Sequence, residues 1–307
     1  MKTKIVIAGG TGFIGKYLTQ KFEALNYEVI IVSRQAGHIN WDDKTALRNA
    51  LESASMLINL AGKSVDCRYN KKNKKKIFYS RIHTTSLLGD AILLCNNPPA
   101  LWINSGTATI YRHAEDRPMT EANGEIGKGF SVDVATSWEK AFFDFALPAT
   151  RQVVLRMAIV LGKEGGVIKP LKNLVRFGLG GKQGNGNQMF SWVHIEDVLN
   201  IINFVQQQTN LKGVINTAAP NPVTNKTLMQ LLRSNMNVAL GLPSPAWVLK
   251  IGAVLIKTET ELILKSRWVL PEKLISAGYQ FKFKTLEEAL KDILPKERLL
   301  VEATQIK

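Results

Sequence analysis

The chain has 307 residues, 45% of them hydrophobic and 21% charged, which suits one large α/β domain with an appended lobe and excludes a disordered or fibrous protein. The formal net charge is +15, and the two cysteines, Cys67 and Cys95, have no metal-ligand spacing, so no metal is expected and a reduced, cytoplasmic setting is. The opening MKTKIVIAGG carries an apolar run too short for a signal peptide, and AWVLKIGAVLI at 246–256 is interrupted by Lys250 and too short to span a bilayer.

Taken in order, the elements alternate. KIVIAG reads as a buried strand, residues 12–25 as a helix and YEVIIVSR as a second strand. Further apolar runs follow at SMLINLAG, ALWINSG and RQVVLRMAIVLG, separated by helix-length segments. Continuous apolar strands joined by helices predict a doubly wound parallel sheet of the Rossmann type, covered on both faces. From about residue 163 the rhythm changes: GLGGKQGNGNQ precedes WVHIEDV and a helix over 195–207, GVINTAA reads as one more strand, and 222–297 are mainly helical. The expected organisation is a dinucleotide-binding domain over 1–165, its sheet completed by parts of 190–218, with a smaller, mainly helical C-terminal substrate lobe over 166–307 interleaved with it.

The loop between the first strand and helix, AGGTGFIGKYL, carries Gly9, Gly10, Gly12 and Gly15. Between a strand and a helix, such glycines let the backbone approach a pyrophosphate held at the helix N-terminus. The ATPase-loop reading fails because Tyr17 stands where a magnesium-binding hydroxyl is needed. The second strand ends Val32-Ser33-Arg34, with no carboxylate for an adenosine ribose. A guanidinium there pairs with a 2′-phosphate, so NADP(H) is the expected cofactor.

With these residues in place, the chain resembles the short-chain dehydrogenase/reductase superfamily, on the extended side that includes nucleotide-sugar epimerases, and within it an atypical epimerase-like branch. Gly9, Thr11, Gly12, Phe13, Ile14 and Gly15 fall in the family's cofactor loop, and Leu60, Ala61 and Gly62 after Asn59 in its adenine-side segment. Ser80-Arg81 with Thr84 match a helix signature of the branch, and Thr107 takes the hydroxyl position of the catalytic serine strand. Trp138-Glu139, Arg156, Trp192-Val193-His194 with Asp197, Ala219-Pro220 and Leu270-Pro271 continue the match. The resemblance implies an oxidoreductase or epimerase-like enzyme acting on a small molecule.

The resemblance breaks at FSVDVATSWEK, residues 130–140. The superfamily's Tyr-x-x-x-Lys pair, which delivers a proton and holds the nicotinamide ribose, aligns with Ser131 and Ala135. The literal Tyr17 to Lys21 match lies on the helix of the glycine loop, at the wrong end of the cofactor. Thr107 and Tyr111 are therefore the catalytic candidates, with His113 as a second choice and Glu139 read as an ion-pair partner. Lys76, Arg81 and His194 are candidates for holding an anionic substrate. The run KKNKKK at 71–76 has no accompanying nucleic-acid motif, so a solvated helix face is favoured and nucleic acid disfavoured. Two functions stay open: an NADP(H)-dependent enzyme lacking the usual pair, or an NADP(H)-binding regulatory module without turnover, either as a monomer or a homodimer.

Overall fold

The computed structural model of the protein describes residues 2–245 and 261–294. The apolar stretch at 246–256 lies outside them. In chain order the elements are β1 (Lys4–Ala8), α1 (Phe13–Ala24), β2 (Glu28–Val32), α2 (Lys44–Leu51), β3 (Met56–Asn59), α3 (Lys71–Leu93), β4 (Leu101–Thr107), a 3-10 turn (Ala108–Ile110), α4 (Phe130–Phe143) and β5 (Arg151–Met157). There follow β6 (Ile159–Gly162), β7 (Gly165–Gly166), α5 (Ile168–Arg176), β8 (Met189–Phe190), β9 (Trp192–His194), α6 (Ile195–Gln207) and β10 (Gly213–Thr217). The last are β11 (Val223–Thr224), α7 (Asn225–Asn235), α8 (Glu261–Leu264), α9 (Glu272–Ser276) and α10 (Leu286–Ile293).

Six strands form one parallel sheet in the order β10-β5-β4-β3-β1-β2. Its strands lack polar alternation because both faces are covered. Ile5 and Ile7 of β1 pack with Leu18 and Phe22 of α1 and Val198 and Ile202 of α6. Val6 and Ala8 point the other way, onto Leu47 and Leu51 of α2, Leu88 and Ile92 of α3 and Phe142 of α4. The fold is the expected doubly wound α/β arrangement. The chain runs outward from β1 to β2, then returns to β3 on the far side of β1. That reversal opens a crevice at the carboxyl ends of β1 and β3, the place where such sheets bind ligands.

Only part of 190–218 enters the main sheet. Gly213–Thr217 pairs with β5, whereas Trp192–His194 pairs with β6 in a separate three-stranded sheet with β7. After β5 the chain turns through Ala158 into β6, and β9 follows β6 rather than the sheet. Helices α5, α7 and α10 close around Leu161, Trp192, Leu228 and Leu290 as a second core. Residues 265–270 then thread back as a strap. Arg267 N donates to Met189 O at 2.8 Å, Met119 N to Trp268 O at 2.7 Å and Leu270 N to Met119 O at 3.0 Å. The strap crosses the outlet of β4.

Candidate active site

The glycine loop forms the floor of the crevice. Gly9 has φ +79°, and a Cβ there would lie 2.8 Å from Ala61 N, so the loops after β1 and β3 meet only through glycine. A Cβ on Gly15 would lie 2.6 Å from Gly10 Cα, which seats α1 directly on the loop. Gly12 differs: a Cβ there would meet only Gly9 O at 3.6 Å. Gly12 is also the N-cap of α1, and no side chain caps the helix. Room above Gly12 and an uncapped, positively polarised helix end fit a pyrophosphate. The ring of Phe13 is committed elsewhere, since a Cβ on Gly165 would fall 2.4 Å from it; its N–H is what it can offer a ligand.

The walls are held by buried polar contacts. Asn59 Nδ2 donates to Asn104 Oδ1 at 2.7 Å and to Thr85 Oγ1 at 3.1 Å, while Ala61 N donates to Asn59 Oδ1 at 3.0 Å. Trp138 Nε1 donates to Thr85 Oγ1 at 2.8 Å, which links α4 to the same set. Leu60, Ala61 and Gly62 are thereby fixed beside the glycine loop. On the other wall, Ser33 is buried and its Oγ accepts from Gln35 N at 3.0 Å, which turns the chain so that Arg34 is exposed. The residues present therefore suit a dinucleotide carrying an extra phosphate.

Two proposed anion contacts have other surroundings. Arg81 Nη1 donates to Lys63 O and Ile77 O, both at 3.1 Å, and its guanidinium lies 5.1 Å from the Trp138 ring. Burial brings its pKa down to about 10. Arg81 props the 60–63 loop, and a Cβ on Gly62 would stand 3.0 Å from its Cζ. Lys76 is exposed with its neighbours on α3. His194 is buried at the start of α6: its Nδ1 accepts from Glu196 N at 3.2 Å, its ring lies 3.9 Å from Phe283, and Nε2 is 3.4 Å from Asp292. These contacts tie β9 to the C-terminal helix α10, and Burial holds the imidazole below its ordinary pKa.

Thr107 ends β4 as expected, its Oγ1 accepting from Thr109 N at 3.2 Å and keeping its own proton to donate. Tyr111 is 2% exposed and is not poised as an acid. Its hydroxyl donates to Asn216 Oδ1 and accepts from Arg156 Nη1, both at 2.8 Å. Burial raises its pKa, more than the neighbouring Arg156 lowers it. Arg156 is in turn held at 2.8 and 2.7 Å by both carboxylate oxygens of Glu139. Sequence proximity to Thr107 suggested Tyr111; the chain turns after Ile110 and drives its ring into a core cluster. His113 is exposed, its Nδ1 accepting from Ser266 N at 3.0 Å.

Helix α8 and the strap bring in three residues that sequence reasoning missed: Glu261, Lys265 and Arg267. Ser131, in the first turn of α4, donates to Glu261 Oε2 at 3.0 Å. Lys265 Nζ lies 3.8 Å from Glu261 and donates to Thr109 O at 2.8 Å. Arg267 is buried, with Nε donating to Thr109 Oγ1 at 3.1 Å. Burial lowers the pKa of both cations. Ala135 sits in an apolar cluster with Ala108, Val132 and Val269. No local pattern in ELILKSR signals this, because Glu261 and Ser131 are 130 residues apart.

A doubly wound sheet, a glycine loop at its switch point and a hydroxyl at the end of β4 define a Rossmann protein of the epimerase type. The NAD dependent epimerase/dehydratase family matches residues 5–129, and a domain of unknown function, DUF1731, matches 244–293. The chain is 34% identical over 298 residues to the human epimerase family protein SDR39U1, covering 95% of this chain and 99% of the relative, and so belongs to that epimerase family. The crystal structure of human SDR39U1 isoform 2 with NADPH superposes with a TM-score of 0.87 at 33% identity, over 95% of this chain and 99% of that one. A nucleoside-diphosphate sugar epimerase from Corynebacterium glutamicum gives 0.77 at 26% identity, over 96% of this chain and 58% of that one.

Proposed function

We propose that the protein is an NADP(H)-dependent oxidoreductase or epimerase-like enzyme that works without the Tyr-x-x-x-Lys pair. The observation that carries the reading is the open, uncapped N-terminus of α1 at Gly12, together with Ser33 and an exposed Arg34, and no carboxylate, directly after β2. The NADPH in the SDR39U1 structure supports the same cofactor. Backbone groups of Gly9, Thr11, Gly12, Phe13, Ile14 and Gly15 would hold the pyrophosphate, Ser33 and Arg34 the 2′-phosphate, and Leu60, Ala61 and Gly62 the adenine side. Bound NADP(H) supplies or accepts hydride, and Thr107 orients a substrate oxygen through its hydroxyl. The substrate is read as a small anionic molecule, in keeping with the +15 charge, with residues 166–307 as the substrate lobe. Among the described residues no helix is long and apolar enough to cross a membrane. The free thiols of Cys67 and Cys95 support a reducing, cytoplasmic setting, for a monomer or homodimer.

Titration of both cofactors by calorimetry tests this. NADPH should bind at least about tenfold tighter than NADH, or about 1.4 kcal/mol, and Arg34→Asp should reverse the order. Equal affinities would end the NADP(H) reading. A second reading, a cofactor-binding module without turnover, draws on the apolar surroundings of Ala135 and on the strap over β4. A screen of carbonyl compounds and nucleotide sugars for NADPH oxidation separates the two.

A further inference from the structure

The chemistry displaced from α4 leaves a question about what moves a proton at the end of β4. Three side chains from distant parts of the chain converge there. Ser131 lies in the first turn of α4, Glu261 in α8, and Lys265 begins the strap. Glu261 touches both others, accepting from Ser131 Oγ at 3.0 Å with one oxygen and lying 3.8 Å from Lys265 Nζ with the other. Lys265 Nζ is fixed at 2.8 Å from Thr109 O, two residues beyond Thr107.

We propose that Lys265 is the proton donor and acceptor of this site, with Glu261 as its charge partner and Ser131 as the tether of Glu261. The proposal rests on the reading of the β4 outlet as the reaction site of an NADP(H)-dependent enzyme. A lysine and a glutamate from the C-terminal lobe stand in for a tyrosine and a lysine on α4. As negative charge develops on a substrate oxygen, Lys265 Nζ transfers one proton to it: the N–H bond breaks, an O–H bond forms, and a neutral amine remains. Water restores the proton to the amine. In the opposite direction the neutral amine removes the hydroxyl proton.

The geometry suits that task. An ammonium has three protons, and at 3.8 Å the carboxylate is beyond hydrogen-bond range. Among the described residues only Thr109 O accepts from Lys265 Nζ at hydrogen-bond distance. The Lys265 side chain is only 9% exposed, and donors so placed are normally satisfied, so a substrate oxygen would complete the set. The strap anchors the lysine from the residues that follow it: Ser191 Oγ donates to Arg267 O at 2.7 Å, Val269 N donates to Ser191 Oγ at 2.8 Å, and Ser266 N donates to His113 Nδ1 at 3.0 Å. Charged or titratable groups facing the region are Glu261 and Arg267 from the same segment, His113 across Ser266, and Tyr69 toward Arg267. Burial lowers the lysine pKa, Arg267 lowers it further and Glu261 opposes both.

The test uses the full chain with NADPH and 9,10-phenanthrenequinone as the carbonyl probe, with NADPH affinity measured alongside. The wild-type reduction rate should fall as pH rises through a bend below the ordinary lysine value of 10.5. Lys265→Met and Lys265→Arg should both lose about a hundredfold or more in kcat/KM, together with the bend, while NADPH affinity is retained. Arginine keeps the charge and a donor for Thr109 O and cannot give up its proton, so a merely structural pin would survive that change. Glu261→Gln should move the bend to lower pH. Independently of turnover, the Nζ signal of ¹⁵N-labelled lysine that vanishes in Lys265→Met should titrate below 10.5 in the cofactor-free protein.

A Lys265→Arg enzyme with normal rate, or an Nζ signal titrating at or above the ordinary value, overturns the proposal and leaves the cofactor reading intact. So does a wild type that binds NADPH and reduces neither the quinone nor any other carbonyl probe. A wild type that does not bind NADPH overturns the cofactor reading itself, and the proposal with it.

Discussion

Tyr111 and Thr107 lie four positions apart and are cast in opposite roles by burial. The tyrosine hydroxyl completes a chain from Glu139 through Arg156 to Asn216, a set joining α4, β5, the turn after β4 and β10. Tyr111→Phe removes the hydroxyl and leaves Arg156 and Asn216 short of a partner in a dry interior. The expected result is a loss of about 1–3 kcal/mol in urea unfolding, with turnover retained by the folded fraction. Thr107→Val should slow turnover while NADPH affinity holds, because the shape stays; the lost contact with Thr109 N costs about 1 kcal/mol of stability, which a urea midpoint reads separately. A large fall in kcat for Tyr111→Phe at unchanged stability would return the tyrosine to the chemistry. The ion pair of Glu139 was readable from its residue type, whereas the burial of Tyr111 was not. The distinction depends on where the chain turns after Ile110.

At the scale of elements, the glycine loop separates two demands that the motif alone blends together. Gly15 serves the packing of α1 onto Gly10, and Gly12 leaves space for a ligand. Gly15→Ala should therefore destabilise the fold by about 1–3 kcal/mol through overpacking, seen as a lower urea midpoint. Gly12→Val should keep the midpoint near that of the wild type and abolish NADPH binding in calorimetry. Normal binding by Gly12→Val would mean that the α1 N-terminus is not the pyrophosphate site. The strap shows the converse limit. Its residues carry no periodic or motif signal, and its function comes from backbone pairing with Met119 and Met189 that no local rule specifies.

Across the whole molecule, the second core is joined partly through His194, the N-cap of α6, to a helix that covers the Rossmann sheet. The imidazole lies against Phe283 and near Asp292 of α10, and burial depresses its pKa from 6.5. The folded state thus binds fewer protons than the unfolded state just below that value. The contribution to stability is complete above 6.5 and is lost as pH falls through 6.5 toward the folded value. Melting temperature should drop between about pH 7.5 and about pH 5.5, and His194→Gln should lose less over the same interval. An identical pH dependence in the variant would remove His194 from the account. The surroundings of His194 follow from topology, which its residue type does not record: β9 pairs with β6, and that carries the histidine to α10.

Sequence alone was enough for whatever depends on near neighbours. The apolar strands, the glycine loop, the lack of a carboxylate beside Ser33 and Arg34, and the missing Tyr-x-x-x-Lys are all matters of residue type and short spacing. They led to a doubly wound sheet with a cofactor crevice at the carboxyl ends of β1 and β3. Tertiary structure decided which side chains reach the end of β4. Ser131 meets Glu261 and Thr109 meets Lys265 across 130 and 156 positions. Such contacts are selected by the path of the strap and the packing of two cores, through many weak long-range interactions acting together. Short-range patterns record none of them, so the crevice was legible in the chain and the proton-handling residues were not.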